Sequence, residues 1–401
     1  MRRKLKADMN IVIIPAFFQT KNRPTLGSFF LEQAKALRKA GHQVTILYSD
    51  TYSVKCVKEW LTYEEENASQ IQGIQIYRAK SFCPLKHGME GYKDAFANGI
   101  EKLWEKHMKN QSVDIIHAHC CVWAGYAAMK LSEKVKVPYV ITEHATLFQL
   151  HKDEISSANQ AVIAEAFQKA AKVICVSSAF AKLLAEYTTN IKVIGNVVDC
   201  EQFKVTEHKH DSCRFLTVCY MEEEAQLYKK GMDILIKAWA KLAPKYPEAR
   251  LIVGGGGKAL EKVVEWTKEY QVTESVEFLG ALERPQVVEQ MQLCDCFVLP
   301  SRYETFGVVY IEAFACGKPV IAVANGGPDD FVHDFNGILI QPEQEGELVQ
   351  ALEKMILAMD QQDSPYKPQR IAAYVEEKFS YRAIGEQLEN VYKEESVCRK
   401  S

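Results

Sequence analysis

Residues 300–320 read PSRYETFGVVYIEAFACGKPV, and this stretch predicts both a local fold and a ligand site. It follows the apolar run CDCFVLP at 294–300 and is typical of a strand end, a polar loop, a helix, a Gly-Lys-Pro stop and a second strand. Thr305 is the predicted N-cap of the helix. The amides that would then lack a partner inside the helix are those of Phe306, Gly307 and Val308. Such amides attract anions, so the loop is a predicted anion-binding site.

Two glutamates flank this predicted helix start. Glu304 lies in the loop just before it, and Glu312 lies about two turns inside the helix, on the face that it shares with Val308. One carboxylate would therefore meet the reacting end of a ligand and the other its far end. Amides for a phosphate and carboxylates for hydroxyl groups suit a sugar nucleotide. The alternative is a capped surface helix with two solvated acids.

The start of the chain predicts a βαβ unit, which begins a doubly wound parallel sheet. The strand NIVIIP at 10–15 is followed by a polar loop, a helix that Ser28 can cap, and the strand HQVTILY at 42–48. Ligands of such sheets bind beyond the carboxyl ends of the strands. Gly27, just before the helix, would let the backbone approach a phosphate closely there, with a plain turn glycine as the alternative.

Four further short apolar runs predict the rest of this sheet, and each ends in a polar residue. The runs are residues 114–119, 138–144, 172–177 and 191–196. Those that close the first three, and so are candidates for a ligand cleft, are His119, His144 and Ser177. His117 and His119 also have a structural interpretation, and Asn196 at the end of the fourth run is interpreted as a hinge residue.

A second parallel α/β sheet is predicted after a polar interdomain linker at 197–213. Its strands are RFLTVCY, ARLIVGGGG, SVEFLGAL, CDCFVLP, PVIAV and GILIQ, with helices between them. We therefore predict a disordered basic start at 1–8, a first Rossmann-like domain at 9–200 and a second Rossmann-like domain at 201–379.

Several of these motifs resemble those of the retaining GT-B glycosyltransferases of glycosyltransferase family 4. They are DIIHAH, TEHATL, VIGNVVD, KKGMDILIKA, LIVGGGG and the stretch with the two glutamates, and they occur in that order. The resemblance implies an α/β protein of two Rossmann-like doubly wound parallel-sheet domains that face each other across a cleft. It also implies a final helix, at about 380–401, that crosses back onto the first domain.

The same resemblance implies roles for individual residues. Lys230 is expected to bind the diphosphate of a nucleotide-sugar donor, and Glu304 to lie beside the donor sugar. Glu312 is expected to hold the ribose hydroxyls. His144 is expected to contact the donor sugar or the acceptor hydroxyl.

One segment departs from the family pattern. Cys219-Tyr220 stands where family members commonly carry Gly-Arg, so a second cation for the diphosphate would have to come from Lys229 or Arg302. No Asp-x-Asp motif follows a predicted strand. We therefore expect no metal ion at the site, and no cofactor besides the donor substrate.

The glycine run at 254–257 offers a different interpretation. GGGGKA fits a permissive dinucleotide-binding fingerprint, and Glu277 follows about 20 residues later. However, Glu277 precedes its apolar run instead of closing a strand. A nicotinamide site would also leave the stretch around Glu304 unexplained.

The composition is that of a globular protein with an uneven distribution of charge. The 401 residues are 47% hydrophobic and 25% charged, and the cysteines are scattered without an export signal, which predicts a cytoplasmic protein. Residues 1–200 carry 26 Lys and Arg against 19 Asp and Glu, whereas residues 201–401 carry 23 against 33. A basic first half favours peripheral contact with an anionic membrane surface or a phosphate-bearing acceptor, with an uneven solvated surface as the alternative. No nucleic-acid partner is expected.

These patterns and the resemblance together predict a metal-independent glycosyltransferase. It would move a hexose or hexosamine from a nucleoside-diphosphate sugar, with UDP favoured over GDP, to a hydroxyl of a glycan, lipid-linked or small-molecule acceptor. The resemblance implies that the enzyme is retaining and that it uses a front-face mechanism. The alternatives are a nucleotide-sugar-binding subunit of weak or no activity, and another GT-B enzyme such as a sugar-nucleotide epimerase or a phosphorylase.

Overall fold

A computed structural model of the chain describes residues 8–20, 25–62, 68–83, 88–207, 212–359, 361 and 363–397. The chain forms two compact units, residues 1–197 with 381–401 and residues 198–380. Each is an α/β unit with its own sheet. The predicted basic start at 1–8 lies outside the described residues, except for Asp8.

The first unit is built on an eight-stranded sheet. Its strands are β1 (Asn10–Pro15), β2 (Gln43–Ser53), β3 (Ala68–Ile71), β4 (Ile74–Cys83), β5 (Ile115–His119), β6 (Tyr139–Glu143), β7 (Lys172–Cys175) and β8 (Ile191–Val193). Their order is β3-β4-β2-β1-β5-β6-β7-β8, and the pairs are parallel except for the β3–β4 hairpin. Strands β5 and β6 are buried throughout, as expected for parallel strands covered on both faces.

Helices connect these strands. They are α1 (Ser28–Lys39), α2 (Val57–Thr62), α3 (Gly88–His107), α4 (Tyr126–Val135), α5 (Leu147–Leu150), α6 (Ser157–Lys169) and α7 (Ser178–Leu184). Helix α1 begins after Gly27, which adopts a left-handed conformation with φ of 68° and is the N-cap. The expectation that Ser28 caps this helix is therefore wrong, because the backbone turn at the glycine already sets the helix start.

The second unit is built on a six-stranded parallel sheet. Its strands are β9 (Arg214–Val218), β10 (Arg250–Gly254), β11 (Val276–Gly280), β12 (Cys296–Leu299), β13 (Val320–Val323) and β14 (Gly337–Ile340). Their order is β11-β10-β9-β12-β13-β14. The helices of this unit are α8 (Glu224–Lys229), α9 (Met232–Leu242), α10 (Leu260–Glu269), α11 (Arg284–Leu293), α12 (Val308–Ala315), α13 (Glu345–Met359) and α14 (Pro368–Phe379).

The last helix, α15 (Tyr381–Val397), belongs to the first unit and packs along α1. Gly385 permits this approach, because a Cβ at that position would stand 3.0 Å from the Ala36 carbonyl oxygen. The hydroxyl of Tyr392 forms a 2.7 Å hydrogen bond with Nδ1 of His117 on β5. Across the described residues, no helix has both the length and the apolar character to cross a membrane.

Residues 197–213 were predicted to be a polar linker, and this prediction is wrong for 198–207. Val198 forms a parallel bridge with Ser380, and Phe203 is fully buried, so the segment is part of the second unit. The single aromatic residue anchors a segment whose other side chains are mostly polar. Residues 208–211 lie outside the described residues.

Candidate active site

The loop that leads into α12 is a tight turn without a side-chain cap. The N-cap of α12 is Gly307, with φ of 96°, and the helix begins at Val308. A Cβ on Gly307 would stand 2.4 Å from the Tyr310 ring, so glycine is required there. The prediction that Thr305 caps the helix is therefore wrong, because the left-handed residue two positions later sets the helix start. The amides at the start of α12 that lack an intrahelical acceptor include those of Val308 and Val309.

A close backbone contact places Lys230 beside this loop. Lys230 is the C-cap of α8, and Gly231 follows it as the N-cap of α9 with φ of 70°. A Cβ on Gly231 would stand 2.0 Å from the Pro300 carbonyl oxygen. Only glycine therefore lets the turn between α8 and α9 pack against the loop. The Arg302 amide donates to the Lys229 carbonyl oxygen at 2.8 Å and fixes the same contact.

The same backbone contact brings together Lys230 and Glu304, the two oppositely charged residues that the sequence predicts at the site. Nζ of Lys230 donates to Oε1 of Glu304 at 2.6 Å. The side chains are 26% and 12% exposed, so solvent reaches both. Burial acts to lower the pKa of Lys230, but the charge of Glu304 and the hydrogen bond to it outweigh burial and raise the pKa. Lys230 is therefore a cation at neutral pH.

Arg302, one of the two residues predicted as a substitute cation, is held by two carboxylates. Its guanidinium donates to both carboxylate oxygens of Asp233, at 2.7 and 3.0 Å, and to Oε2 of Glu343 at 2.9 Å. Two carboxylates thus match its charge. Lys229 is half-buried, and burial together with the charge of Lys230 lowers its pKa. Which of the two, Lys229 or Arg302, substitutes for the family arginine stays a prediction.

Glu312 is a buried partner in an ion pair. It is 3% exposed, and Nη1 of Arg284 donates to its Oε1 at 2.6 Å. The Arg284 guanidinium lies 4.5 Å from the ring centroid of Phe203. Sequence reasoning missed Arg284, although a cation at the first position of α11 opposes the helix dipole and so signals a specific partner.

Phe306 belongs to the hydrophobic core of the second unit. It is 2% exposed, and its ring lies 4.9 Å from that of Phe331 and 5.7 Å from that of Phe379. A Cβ on Gly327 would stand 2.7 Å from the Phe306 carbonyl oxygen, so the loop after β13 also packs tightly here. Any contact of Phe306 with a ligand would therefore be made by its backbone.

The glycine run after β10 packs against the segment that departs from the family pattern. Ideal Cβ atoms on Gly255 and Gly257 would stand 1.8 Å from the Cys219 carbonyl oxygen and 2.2 Å from the Met221 carbonyl oxygen. The glycines thus have a structural use that requires no dinucleotide. Burial raises the pKa of Cys219 to about 11, with the charge of Lys230 acting to lower it. The neighbouring Tyr220 is 64% exposed.

Gly27 and His144 come together in the first unit. A Cβ on Gly27 would stand 2.9 Å from both the Phe17 carbonyl oxygen and the Phe30 ring, so the chain's own packing requires glycine. The rings of Phe29 and Phe30, which follow Gly27 in α1, lie 4.9 and 5.3 Å from the His144 ring. The helix start that Gly27 forms therefore covers His144.

His144 is one of three stacked, buried histidines. The His117 and His119 rings lie 4.4 Å apart and the His119 and His144 rings 5.4 Å apart. Nε2 of His117 bonds Oγ1 of Thr142 at 2.6 Å, and Nδ1 of His119 bonds Nε2 of His144 at 3.1 Å. Burial lowers the pKa of His117 and of His144 to about 3, and that of His119 well below its usual value. All three imidazoles are therefore neutral at pH 7.

Glu143 fixes the backbone around these histidines, and sequence reasoning missed it. Its carboxylate is fully buried and accepts from the amides of Cys121, His144 and Ala145 at 2.6, 2.9 and 2.8 Å. Burial raises its pKa to about 7, although these amides act to lower it. The available signal was an acid inside the apolar strand YVITE, where a charge requires partners.

The last two candidates of the first unit are Ser177, which caps a helix, and Asn196, for which the interpretation as a hinge residue stays a prediction. Ser177 is the N-cap of α7, and its Oγ accepts from the Phe180 amide at 3.3 Å. Asn196 is buried next to the boundary between the units at 197 and 198. In the described part of the chain, no group of three or more His, Cys, Asp or Glu side chains is arranged to hold a metal ion.

Comparison with known proteins gives the class of this fold and site. The family model Glycosyltransferase Family 4 matches residues 26–202, and the model Glycosyl transferases group 1 matches residues 224–371. A subunit of the human phosphatidylinositol N-acetylglucosaminyltransferase is 27% identical over 397 residues, covering 97% of this chain and 76% of that protein. An uncharacterized glycosyltransferase of Methanocaldococcus jannaschii is 24% identical over 380 residues, covering 90% and 92%. The crystal structure of Anabaena HepE in complex with UDP superposes with a TM-score of 0.70 at 18% identity, covering 96% and 100%.

Two parallel-sheet α/β units and these similarities define a GT-B glycosyltransferase. Within that class the chain is of the family 4 type, since the two family models match its first and its second unit in turn. The GT-B fold and the enzyme class predicted from the motifs are confirmed.

Proposed function

We propose that this chain is a retaining glycosyltransferase that uses a nucleoside-diphosphate sugar and needs no metal ion. It transfers a hexose or hexosamine to a hydroxyl of a glycan, lipid-linked or small-molecule acceptor. In the second unit, the segment from Thr305 to Val308 and Lys230 contact the donor, and Glu312 holds the ribose. The phosphate contact predicted for the backbone of Gly27, in the first unit, stays a prediction.

The observation that carries this proposal is the 2.6 Å contact between Lys230 and Glu304. A lysine held beside a carboxylate can exchange that carboxylate for a phosphate, which is also an anion. When the diphosphate binds Lys230, the Glu304 carboxylate becomes available to accept hydrogen bonds from the hydroxyls of the sugar. Donor binding thus places both groups in their working positions in one step.

The reaction needs stabilisation of a departing phosphate more than it needs a base. The bond from the anomeric carbon to the phosphate oxygen breaks, and the acceptor oxygen bonds to the same carbon on the same face. The proton of the acceptor passes to the departing phosphate oxygen. Positive groups preorganised around that oxygen, here Lys230 and the amides at the start of α12, lower the barrier without a metal.

UDP is the proposed nucleotide, and a lipid-linked acceptor is the first to test. The Anabaena HepE structure, which has a similar fold, contains UDP. The human relative is named for the transfer of N-acetylglucosamine to phosphatidylinositol, which is a lipid. The basic first half of the chain supports the proposed peripheral contact with an anionic membrane surface. Co-sedimentation with phosphatidylinositol vesicles at low and high salt tests that contact.

Thermal stability against UDP, GDP, ADP and CMP, each with and without magnesium, tests the donor site. A nucleotide at 100 times its dissociation constant adds about 2.7 kcal/mol to the free energy of unfolding. We expect UDP to stabilise the wild type equally with and without magnesium, and expect Lys230→Ala and Glu312→Ala to reduce the shift. A magnesium requirement would contradict the metal-independent mechanism, and no shift with any diphosphate would contradict the donor site.

A catalytically weak or inactive nucleotide-sugar-binding subunit is the second candidate. Cys219-Tyr220 supplies no cation, and this observation favours it. This candidate predicts stabilisation by UDP without turnover of UDP-glucose or UDP-N-acetylglucosamine. Analysis of the products also separates a transferase from a sugar-nucleotide epimerase or a phosphorylase.

A further inference from the structure

A cation at the start of α11 contacts the carboxylate that is proposed to bind the ribose. Glu312 lies in the middle of α12 and is 3% exposed, and Nη1 of Arg284 donates to its Oε1 at 2.6 Å. A buried carboxylate without a cation is costly, because burial removes the water that stabilises its charge. Arg284 therefore supplies, within the second unit, the positive charge that the burial of Glu312 requires.

The position of Arg284 in α11 is one where the helix itself disfavours a positive charge. It is the first residue of the helix, where the unpaired amides and the helix dipole attract anions. The carboxylate of Glu283, the N-cap, accepts from the amide of Gln286, and the Gln286 side chain accepts in turn from the Glu283 amide. The stability of the helix start therefore does not explain an arginine here, whereas the ion pair with Glu312 does.

A buried aromatic ring holds the guanidinium in place. The guanidinium carbon of Arg284 lies 4.5 Å from the ring centroid of Phe203, which is fully buried. A guanidinium that lies over a ring can still donate hydrogen bonds in its own plane. The segment that carries Phe203 is itself fixed. The Phe203 amide donates to the Asp199 carbonyl oxygen at 2.9 Å, and Nε2 of Gln292 on α11 lies 3.5 Å from the Gln202 carbonyl oxygen.

We infer that Arg284 is a positioning residue of the donor site, and that it orients the Glu312 carboxylate towards the 2′- and 3′-hydroxyls of the ribose while the Phe203 ring holds its guanidinium. This role rests on the proposed function, which assigns the ribose to Glu312. An ionised carboxylate has about four positions at which it accepts hydrogen bonds. The bond to Nη1 of Arg284 occupies one of them and fixes the direction of the others.

The preference for a ribose over a deoxygenated sugar measures the contact with Glu312. An ionised carboxylate only accepts hydrogen bonds, so it binds the hydroxyls of UDP and gains nothing from 2′,3′-dideoxy-UDP. The base and the diphosphate are the same in both nucleotides, so their contacts cancel in the comparison. Two hydrogen bonds to a charged group correspond to about a hundredfold in affinity.

Calorimetry of the whole chain with these two nucleotides tests the positioning role. We expect the wild type to bind UDP about a hundredfold more tightly than 2′,3′-dideoxy-UDP. Arg284→Gln should reduce this preference to about tenfold or less, because it weakens the binding of UDP and leaves that of the dideoxy nucleotide nearly unchanged. A merely structural role would weaken both nucleotides equally. Equal weakening, or an unchanged preference, would overturn the inference.

Two milder variants keep the test sharp if Arg284→Gln does not fold. Arg284→Lys keeps the charge but not the planar group that lies over the ring, so it should recover only part of the preference. Phe203→Leu keeps Arg284 and a large apolar side chain, and should lower the preference about threefold. A full preference in both variants would overturn the inference.

Arg214→Gln is the matched control. It removes the cation of another Arg–Glu pair, with Glu277 at 3.6 Å, at the amino ends of β9 and β11. Both affinities should stay as in the wild type. A loss of preference equal to that of Arg284→Gln would mean that any lost positive charge has this effect, and would overturn the specific role of Arg284.

A double-mutant cycle separates this inference from the proposed function. Glu312→Ala should abolish the preference, and adding Arg284→Gln to it should change nothing further, because Arg284 acts through Glu312. A preference that is lost in Glu312→Ala but retained in Arg284→Gln would overturn the inference alone. Equal binding of both nucleotides by the wild type would overturn the ribose role of Glu312 and the inference with it. No binding of UDP at all would count against the whole donor site.

Discussion

The Lys230–Glu304 pair and the histidine cluster, formed by His117, His119 and His144, differ in charge, in exposure and in how their hydrogen bonds are fixed. The first is charged, partly exposed and held by one short contact, so a ligand can replace either partner. The second is neutral and buried, and its hydrogen bonds are set by the fold before any ligand arrives. An exchangeable charge suits binding of an anion, whereas buried neutral imidazoles keep a fixed pattern of hydrogen bonds. The two regions should therefore respond differently to mutation and to pH.

The largest expected effect comes from breaking the backbone contact that places the charged pair. Gly231→Ala forces a Cβ to within 2.0 Å of the Pro300 carbonyl oxygen at a residue with φ of 70°. We expect it to lower the free energy of unfolding by about 3 kcal/mol or more. Urea unfolding of the variant measures this loss.

Gly346→Ala is the matched control for that experiment. Gly346 lies in α13, and a Cβ there would have no neighbour within 4 Å. This substitution should be neutral or stabilise by about 0.5 kcal/mol. Similar losses in the two variants would contradict the specific contact at Pro300.

Removing the ammonium group of Lys230 tests the role of the Lys230–Glu304 pair directly. Lys230→Ala should lower the turnover of the donor about a hundredfold, since one well-placed group on a developing anion has that effect. Lys258→Ala should change turnover little, because Lys258 is exposed and pairs only with Glu222 in the described residues. The rate of UDP release from UDP-glucose measures both. A small loss of turnover in Lys230→Ala would mean that other groups bind the phosphate.

The sequence predicted the region around the Lys230–Glu304 pair better than the histidine cluster, because much of the first region is formed by residues close together in sequence. The strand–loop–helix pattern around Glu304 is local, and β12, α12 and β13 lie where the pattern indicates. The predicted N-cap, Thr305, was two residues too early, because the left-handed turn at Gly307, and not a side-chain cap, sets the start of α12. The partners Lys230 and Glu304 were both named from the sequence, but their contact depends on the fit of Gly231 against Pro300.

The neutral region could be predicted only in part. His119 closes β5 and His144 directly follows β6, where the apolar runs of the sequence predict strand ends. Their mutual hydrogen bond depends on strand neighbours whose order is set by the whole sheet. Tyr392, which bonds His117, is separated from it by 275 positions along the chain. Glu143 was overlooked because its partners are backbone amides, which a sequence motif does not display.

The pH dependence of stability tests the buried region. The folded-state pKa of Glu143 is raised to about 7, so its contribution to stability is present below pH 4.5 and is lost as the pH rises through about 7. Between pH 5 and pH 8 the wild type should lose about 2 kcal/mol relative to Glu143→Gln, which does not titrate. Unfolding of both proteins at the two pH values gives this difference. A constant difference would mean that the three amides keep the carboxylate ionised throughout.

The smallest effect separates binding from turnover within the charged pair. Glu304→Gln keeps the shape of the side chain but removes the charge that competes with a diphosphate for Lys230. Because UDP no longer has to displace a carboxylate, we expect its dissociation constant to fall by as much as about tenfold, a gain that salt will weaken. Transfer from a UDP-sugar should nevertheless be slower, because the amide cannot favour a positively charged sugar ring as a carboxylate does. Calorimetry with UDP and a turnover assay on the same preparation measure the two effects, and Glu343→Gln, which lies in the other ion pair of this loop, serves as the control. Weaker UDP binding by Glu304→Gln would show that the carboxylate positions Lys230 and does not compete for it.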